Sequence, residues 1–263
     1  MIERRAGGLG IANDVTVSTG KETIVLDLRG SRARTDLDAL VQKGQLYFRP
    51  VLCGAPAYSP ATPATGTAKA TITPGAKKPT GTPYQVPPTC PSPYRYSAAA
   101  DYVSGVWDPG PHTVDPAYAH YKTTPNTDDQ KYEHENVIFP SGLPAGDSPA
   151  RYVLGPSLAN GTIIKRAYAV LGETGGWEVD FTVTRSGDVV FSEIAATCYH
   201  TLVANDLDGD IVSAPLIDSR SFSSGGQITG NFSSSSAHTL AVDLSYGALP
   251  LALIVVRTQT RGK

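Results

Sequence analysis

The stretch GQITGNFSSSSAHTLAVDLSYGALPL, residues 226–251, sets out a loop, a helix and the start of a strand. The first residues read as a loop. Ser233 or Ser234 then offers a hydroxyl to the unpaired N–H groups that open a helix. Ala237, Leu240, Ala241 and Leu244 recur at helical spacing and form one apolar stripe. Gly247 supplies a stop, and Pro250 forbids continuation. The apolar segment LPLALIVVRT that follows reads as a strand. A helix with one greasy side has to lay it against something, and the preceding residues supply a sheet.

WEVDFTVT, residues 177–184, alternates cleanly. Trp177, Val179, Phe181 and Val183 face one way; Glu178, Asp180, Thr182 and Thr184 face the other. That pattern suits a sheet with one buried face. RYVLGP is a short strand before it, Asn160–Gly161 a turn, and TIIKRAYAVL a strand. After it, Thr184 or Ser186 can cap a helix running to about His200, with Val190, Phe191, Ile194, Ala195 and Cys198 on its apolar side. HTLVANDLDGDIVSAPLI is a hairpin turning at Asp208–Gly209. The fold class expected is α+β: antiparallel sheets with helices packed on one face.

The first 52 residues give strand, strand, helix, strand: DVTVS, ETIVLDL, TDLDALVQKG closed by Gly44, and QLYFRPVL. This order looks like the last part of a split βαβ unit without its first strand and helix. Between the two zones, from Cys53 to Pro149, the composition changes. Fourteen of the 21 prolines fall between Pro50 and Pro116, within Pro/Thr/Ala-rich sequence too poor in large apolar residues to build a core. An extended or disordered insert is expected there, with the aromatic stretch Tyr94–Tyr132 able to pack on a neighbour.

A net charge of −2 gives no electrostatic case for nucleic acid or an anionic membrane as partner. The longest apolar run, Ala248–Val256, is well short of the roughly 20 residues of a spanning helix. No signal peptide is visible. Of the three cysteines, Cys198 reads as a small core residue; Cys53 and Cys90 bracket the irregular zone, either as a disulfide or as two free thiols.

Catalytic patterns are absent. Gly7–Gly10 reads as a turn, not a dinucleotide loop, and no GxxxxGK[ST], HExxH or GxSxG occurs. Cys198 and His200 make a poor nucleophile–base pair, pointing about 200° apart on a helix. Asp206, Asp208 and Asp210 have a calcium-loop rhythm, but Ile211 and Ile217 stand where Gly and Glu are needed, so a hairpin turn comes before weak calcium binding. His112, His120, His134, His200 and His238 are scattered, and Glu178 with Asp180 reads as a solvated sheet face. No active site, metal or cofactor is expected.

Several stretches together are similar to the SecD subunit of the bacterial protein-export machinery. They are IERRAGGLGIANDVTV, QLYFRPVL, YVLGPSLANGTII, GWEVDFTVTRSGDVVFSEI, LDGDIVSAPLI and the opening stretch, in the family's order. The insert resembles that of actinobacterial members. The resemblance implies the family's first large extracytoplasmic domain: a partial ferredoxin-like base (1–52), the Pro-rich insert (53–149), a head subdomain (150–232), and a helix and strand returning to the base (233–263). It implies no catalysis. It implies unfolded secretory preproteins as cargo, SecF and the SecYEG channel as partners, assistance to proton-gradient-driven export, and a membrane-embedded parent, the domain lying on the outer face of the cell membrane. The family's flanking membrane helices are not in these residues, so a fragment, a mis-started reading frame or a short paralogue is expected. A stand-alone binding module is the alternative. Cargo contact is expected between the two helices and along 177–184, at Trp177, Val179, Phe181, Leu240 and Leu244.

Overall fold

The computed structural model describes residues 1–20, 24–29, 33–59, 114, 116–125, 131–143, 149–173, 175–222 and 224–249. The chain opens with a short helix, α1 (Ile2–Gly8), where the sequence suggested only a turn. The glycines end it: Leu9 N–H donates to Arg5 O, and Gly10 adopts φ +74°. β1 (Val15–Thr19) and β2 (Ile24–Leu28) form the expected antiparallel hairpin, and α2 (Ala33–Val41) follows. Val15, Val17, Leu26 and Leu28 turn toward a small cluster built on Ile2, Ala6, Leu40 and Leu249.

β3 (Leu46–Ala55) is the spine of the molecule. It is longer than QLYFRPVL and is buried along nearly its whole length. It pairs antiparallel with β5 (Arg151–Leu154), β6 (Ala159–Asn160) and β9 (Val203–Leu207), so strands from both ends of the chain share one sheet. That sheet runs β10-β9-β3-β5-β4, with β6 also on β3; β4 is Val137–Pro140 and β10 is Asp210–Ser213. β4 adds a buried strand to the stretch 53–149 read as an insert: Val137, Ile138 and Phe139 are buried, as is Tyr118 in the 3-10 turn Pro116–His120, within the aromatic stretch expected to pack. The low-complexity residues 60–113 and Cys90 lie outside the described residues. Cys53 is disulfide-bonded.

The third sheet has the order β11-β8-β7, from β7 (Ile164–Leu171), β8 (Trp177–Val183) and β11 (Gly225–Phe232). β11 was read as a loop. It is an edge strand rich in glycine with only Ile228 fully buried, so it carries little alternation. α3 (Arg185–Thr197) and α4 (Ser234–Tyr246) both pack on the sheet's buried face, where Val179, Phe181 and Val183 meet Ile194, Ala195, Ala237, Leu240, Ala241 and Leu244. The α+β class is as expected.

Both helix starts follow the capping chemistry read from sequence. The Thr184 side chain accepts from Gly187 N–H, and Ser233 with Ser236 makes a reciprocal capping box. Gly187 is required for another reason: a Cβ there would lie 2.5 Å from Ile163 O. α3 ends at Thr197 rather than His200. Cys198 is its C-cap, and His200 lies beyond in a left-handed conformation at φ +61°. The β9–β10 hairpin turns at Asp208 (φ +53°) and Gly209 (φ +83°) as expected. The C-terminal strand expected at 249–258 lies outside the described residues beyond Leu249.

Candidate functional site

Three layers meet at one aromatic point. Phe48 comes from β3, Phe181 from β8, Phe191 from α3 and Phe222 from the irregular segment after β10. Phe191 is the hub. Its ring lies 5.8 Å from Phe48 and 5.6 Å from Phe181, both edge-on, and 5.5 Å from Phe222. Edge-to-face pairs are favourable by about 0.5–1.5 kcal/mol beyond burial alone. Four of the chain's six phenylalanines converge here, a concentration that marks the place rather than general core packing.

The rings do not close the space. They border a small recess of about 40 Å³ at the surface, completed by Ile194, Val203, Pro215, Ile217, Asn205 and Gln227. Phe191, Pro215 and Phe222 are half-buried. The two polar residues are already engaged: Asn205 Nδ2 donates to Ser213 Oγ at 2.6 Å and Gln227 Nε2 to Asp180 Oδ1 at 3.0 Å. Ser192 Oγ donates to Phe222 O at 3.0 Å and holds the rim to α3. The recess is small and apolar, and no charged side chain lines it among the described residues.

A second feature is the open edge of β7. Ser245 of α4 donates to Ala167 O at 3.1 Å and accepts from Ala167 N–H at 2.9 Å. Ala167 therefore points its backbone away from β8, and by the period of two so do Ala169 and Leu171. No partner for their outward groups occurs among the described residues. Leu171 and Tyr168 are exposed beside them.

The residues expected to touch cargo fall unevenly. Val179, Phe181, Leu240 and Leu244 are core residues, 0–5% exposed. Trp177 is half-buried, 5.3 Å from the His238 ring. Of the five, only Phe181 lines the recess. Phe48, Phe191 and Phe222 were not selected as contact residues, although an unusual share of the chain's phenylalanines flanks the two sheet-to-helix junctions.

The acidic hairpin is committed elsewhere. Asp206 accepts from Arg49 Nε and from Gly209 N–H; Asp208 accepts from Gly44 and Gln45 N–H, each at 2.8 Å. These contacts serve the fold, and no metal-holding group of three occurs among the described residues. Cys198 is buried, and burial pushes its thiol up, opposed by Thr201, so it is no thiolate at neutral pH. The Tyr199 ring carries the His200 ring stacked at 3.8 Å and the Arg220 guanidinium at 4.3 Å. Among the described residues no helix is long and apolar enough to cross a membrane.

Comparison with known proteins points the same way. Residues 138–251 match the family model described as SecDF, P1 head subdomain. The protein translocase subunit SecD of Sebaldella termitidis is 36% identical over 106 residues, 40% of this chain and 26% of that protein. The SecD of Acetobacter pasteurianus is 36% identical over 104 residues, 39% of this chain and 20% of its own. That of Streptomyces coelicolor is 32% identical over 108 residues. The matched part thus spans about a quarter or less of these relatives' length. Among solved structures, a membrane component SecDF that enhances protein export matches with a TM-score of 0.52 at 19% identity, over 99% of this chain and 90% of that one. SecDF in a super-membrane-facing form matches with 0.54 at 21% identity, over 97% and 26%. Sequence match and shared fold agree: residues 138–251 are similar to the P1 head subdomain of SecD proteins, and the fold resembles that of the SecDF structures.

Proposed function

We propose that this chain is the extracytoplasmic domain of a SecD-like translocase subunit that contacts unfolded preproteins as they leave the membrane and assists proton-gradient-driven export. In this reading residues 1–52 and 233–263 form the base, residues 150–232 the head, and the Pro-rich stretch between them an insert of the actinobacterial kind. SecF and the SecYEG channel are the partners, and the role is holding rather than catalysis.

The observation that carries the reading is the aromatic recess where Phe48 of the base strand meets Phe181, Phe191 and Phe222 of the head. An extended chain presents alternate side chains, and the half-exposed Phe191, Pro215 and Phe222 at the rim offer an apolar contact to one of any identity, which suits promiscuous cargo. The open β7 edge offers main-chain pairing to the same kind of ligand.

The test is binding of an unfolded secretory protein, followed by fluorescence anisotropy, to the natural chain and to a Phe191→Ser variant. Binding that weakens at least about fivefold, near 1 kcal/mol, in the variant is the expected result. Absence of binding to the natural chain, or equal binding by both, refutes the reading.

A further inference from the structure

Arg5, on the first helix, is completely buried. Its guanidinium donates to Gln42 O and, at 3.0 Å, to Lys43 O in the turn after α2, and at 2.8 Å to Gly247 O at the end of α4. Asp243, one turn before that end, lies 3.0 Å away, Nη1 to Oδ1. One side chain thus ties α1, the turn after α2 and the last turn of α4. The fit leaves no slack: Gly44 adopts φ +68°, and a Cβ there would lie 2.7 Å from Arg5 Nη2 and 3.0 Å from Asp243 Cγ.

Asp243 is poorly served as an anion. It is 1% exposed, and neither carboxylate oxygen takes part in a hydrogen bond of good geometry. The charges acting on it are Arg5 from α1, which attracts, and Asp208 from the β9–β10 turn, which repels. The turn after α2 meets the pair through the carbonyls of Gln42 and Lys43, and Asp208 is itself held by the N–H groups of Gly44 and Gln45. An ionised carboxylate here has one cation on one side and no donors for its remaining lone pairs. A protonated carboxyl needs fewer partners and removes the repulsion. Arg5 keeps its three carbonyl bonds in either state.

We propose that Arg5 and Asp243 form a protonation-controlled clasp: with a proton on Asp243 the three segments stay locked, and as it ionises the junction loosens and α1 can part from the end of α4. Burial pushes the Asp243 carboxyl up to about 7 against the pull of Arg5, with Asp208 adding to the rise, so the transition falls at neutral pH. The clasp is independent of what the recess binds.

The test is site-resolved amide exchange from pH 6 to 8, corrected for the intrinsic rate. The reporters are Leu9 (bonded to Arg5 O), Gly247 (to Asp243 O) and Leu249 (to Lys43 O), with Val179 in β8 marking global unfolding. Protection of the three reporters is expected to stay below that of Val179 at every pH and to fall about tenfold over that range, the ratio given by a carboxyl titrating at 7 when closed and near its free value when open. In Asp243→Asn the profile is expected to be flat. Reporter protection in the natural chain that does not change with pH, or that equals that of Val179, overturns the clasp, whether or not the variant folds. An equal fall in Asp243→Asn overturns it too.

Discussion

Replacing Arg49 by methionine keeps the stem and removes every donor. Arg49 sits fully buried in the middle of β3, and its Nε donates to Asp206 Oδ2 on β9 at 2.8 Å. Nη1 reaches Gly155 O at 3.2 Å and Glu133 O and Glu135 O at 3.4 Å; Nη2 reaches Tyr132 O at 3.2 Å. The guanidinium therefore holds the 131–135 turn, which leads into β4, against the centre of the sheet. Removing the cation strands the Asp206 carboxylate in the interior, and breaking one side of a buried pair costs about 3–5 kcal/mol. The carbonyl contacts lie at the long end of hydrogen-bond range and add on the order of 1 kcal/mol together. The expected total of about 4–6 kcal/mol is about a quarter or more of a typical domain's stability. Urea unfolding followed by tryptophan fluorescence measures it. A companion Asp206→Asn change keeps the acceptor and removes the charge, and the double variant is expected to recover about 1–3 kcal/mol relative to additivity. A loss under about 1 kcal/mol for Arg49→Met, or strict additivity in the cycle, would refute the reasoning.

Other perturbations follow from the same contacts. The folded chain holds a proton on Asp243 up to about pH 7, whereas the unfolded chain releases it near the ordinary 3.8. Stability therefore falls as pH rises through that window, by about 2–3 kcal/mol between pH 5 and 8, and Asp243→Asn removes this slope in urea titrations at the two pH values. Gly44→Ala meets both the positive φ and the Arg5–Asp243 contact, and thermal unfolding is expected to show a loss of about 2 kcal/mol or more. Ser233→Ala removes the hydroxyl of the α4 capping box and is expected to cost about 1 kcal/mol, read by urea unfolding; Ser233→Thr is expected to restore most of it.

Elements whose signals are local were legible in the sequence. β8 alternates, α4 carries its cap and stripe, and Asp208–Gly209 turns a hairpin, so each was readable without its partners. β11 was not, because an edge strand with one buried residue has no period to see. β4 was hidden by its proline-rich neighbourhood. The recess is a product of assembly: Phe48, Phe191 and Phe222 are far apart in the chain, and each alone passes for ordinary core. The clasp was the least visible. Asp243 lies off the stripe of Ala237, Leu240, Ala241 and Leu244, where a carboxylate reads as solvated, and the unexpected α1 together with the turn after α2 covers it. Arg49 gave a hint that went unused, a cation inside an otherwise apolar strand. Val179, Phe181, Leu240 and Leu244 are buried for one reason: a clean apolar face marks what the fold covers.

The central claim is that the aromatic recess meets extended cargo. A photo-crosslinking side chain at position 222, on the rim, compared with one at position 3, exposed on α1, tests it most directly against an unfolded secretory protein. The account predicts strong adducts from 222 and few from position 3, with competition by a short peptide carrying one apolar residue. Equal yields from both positions, or none from 222, would contradict it.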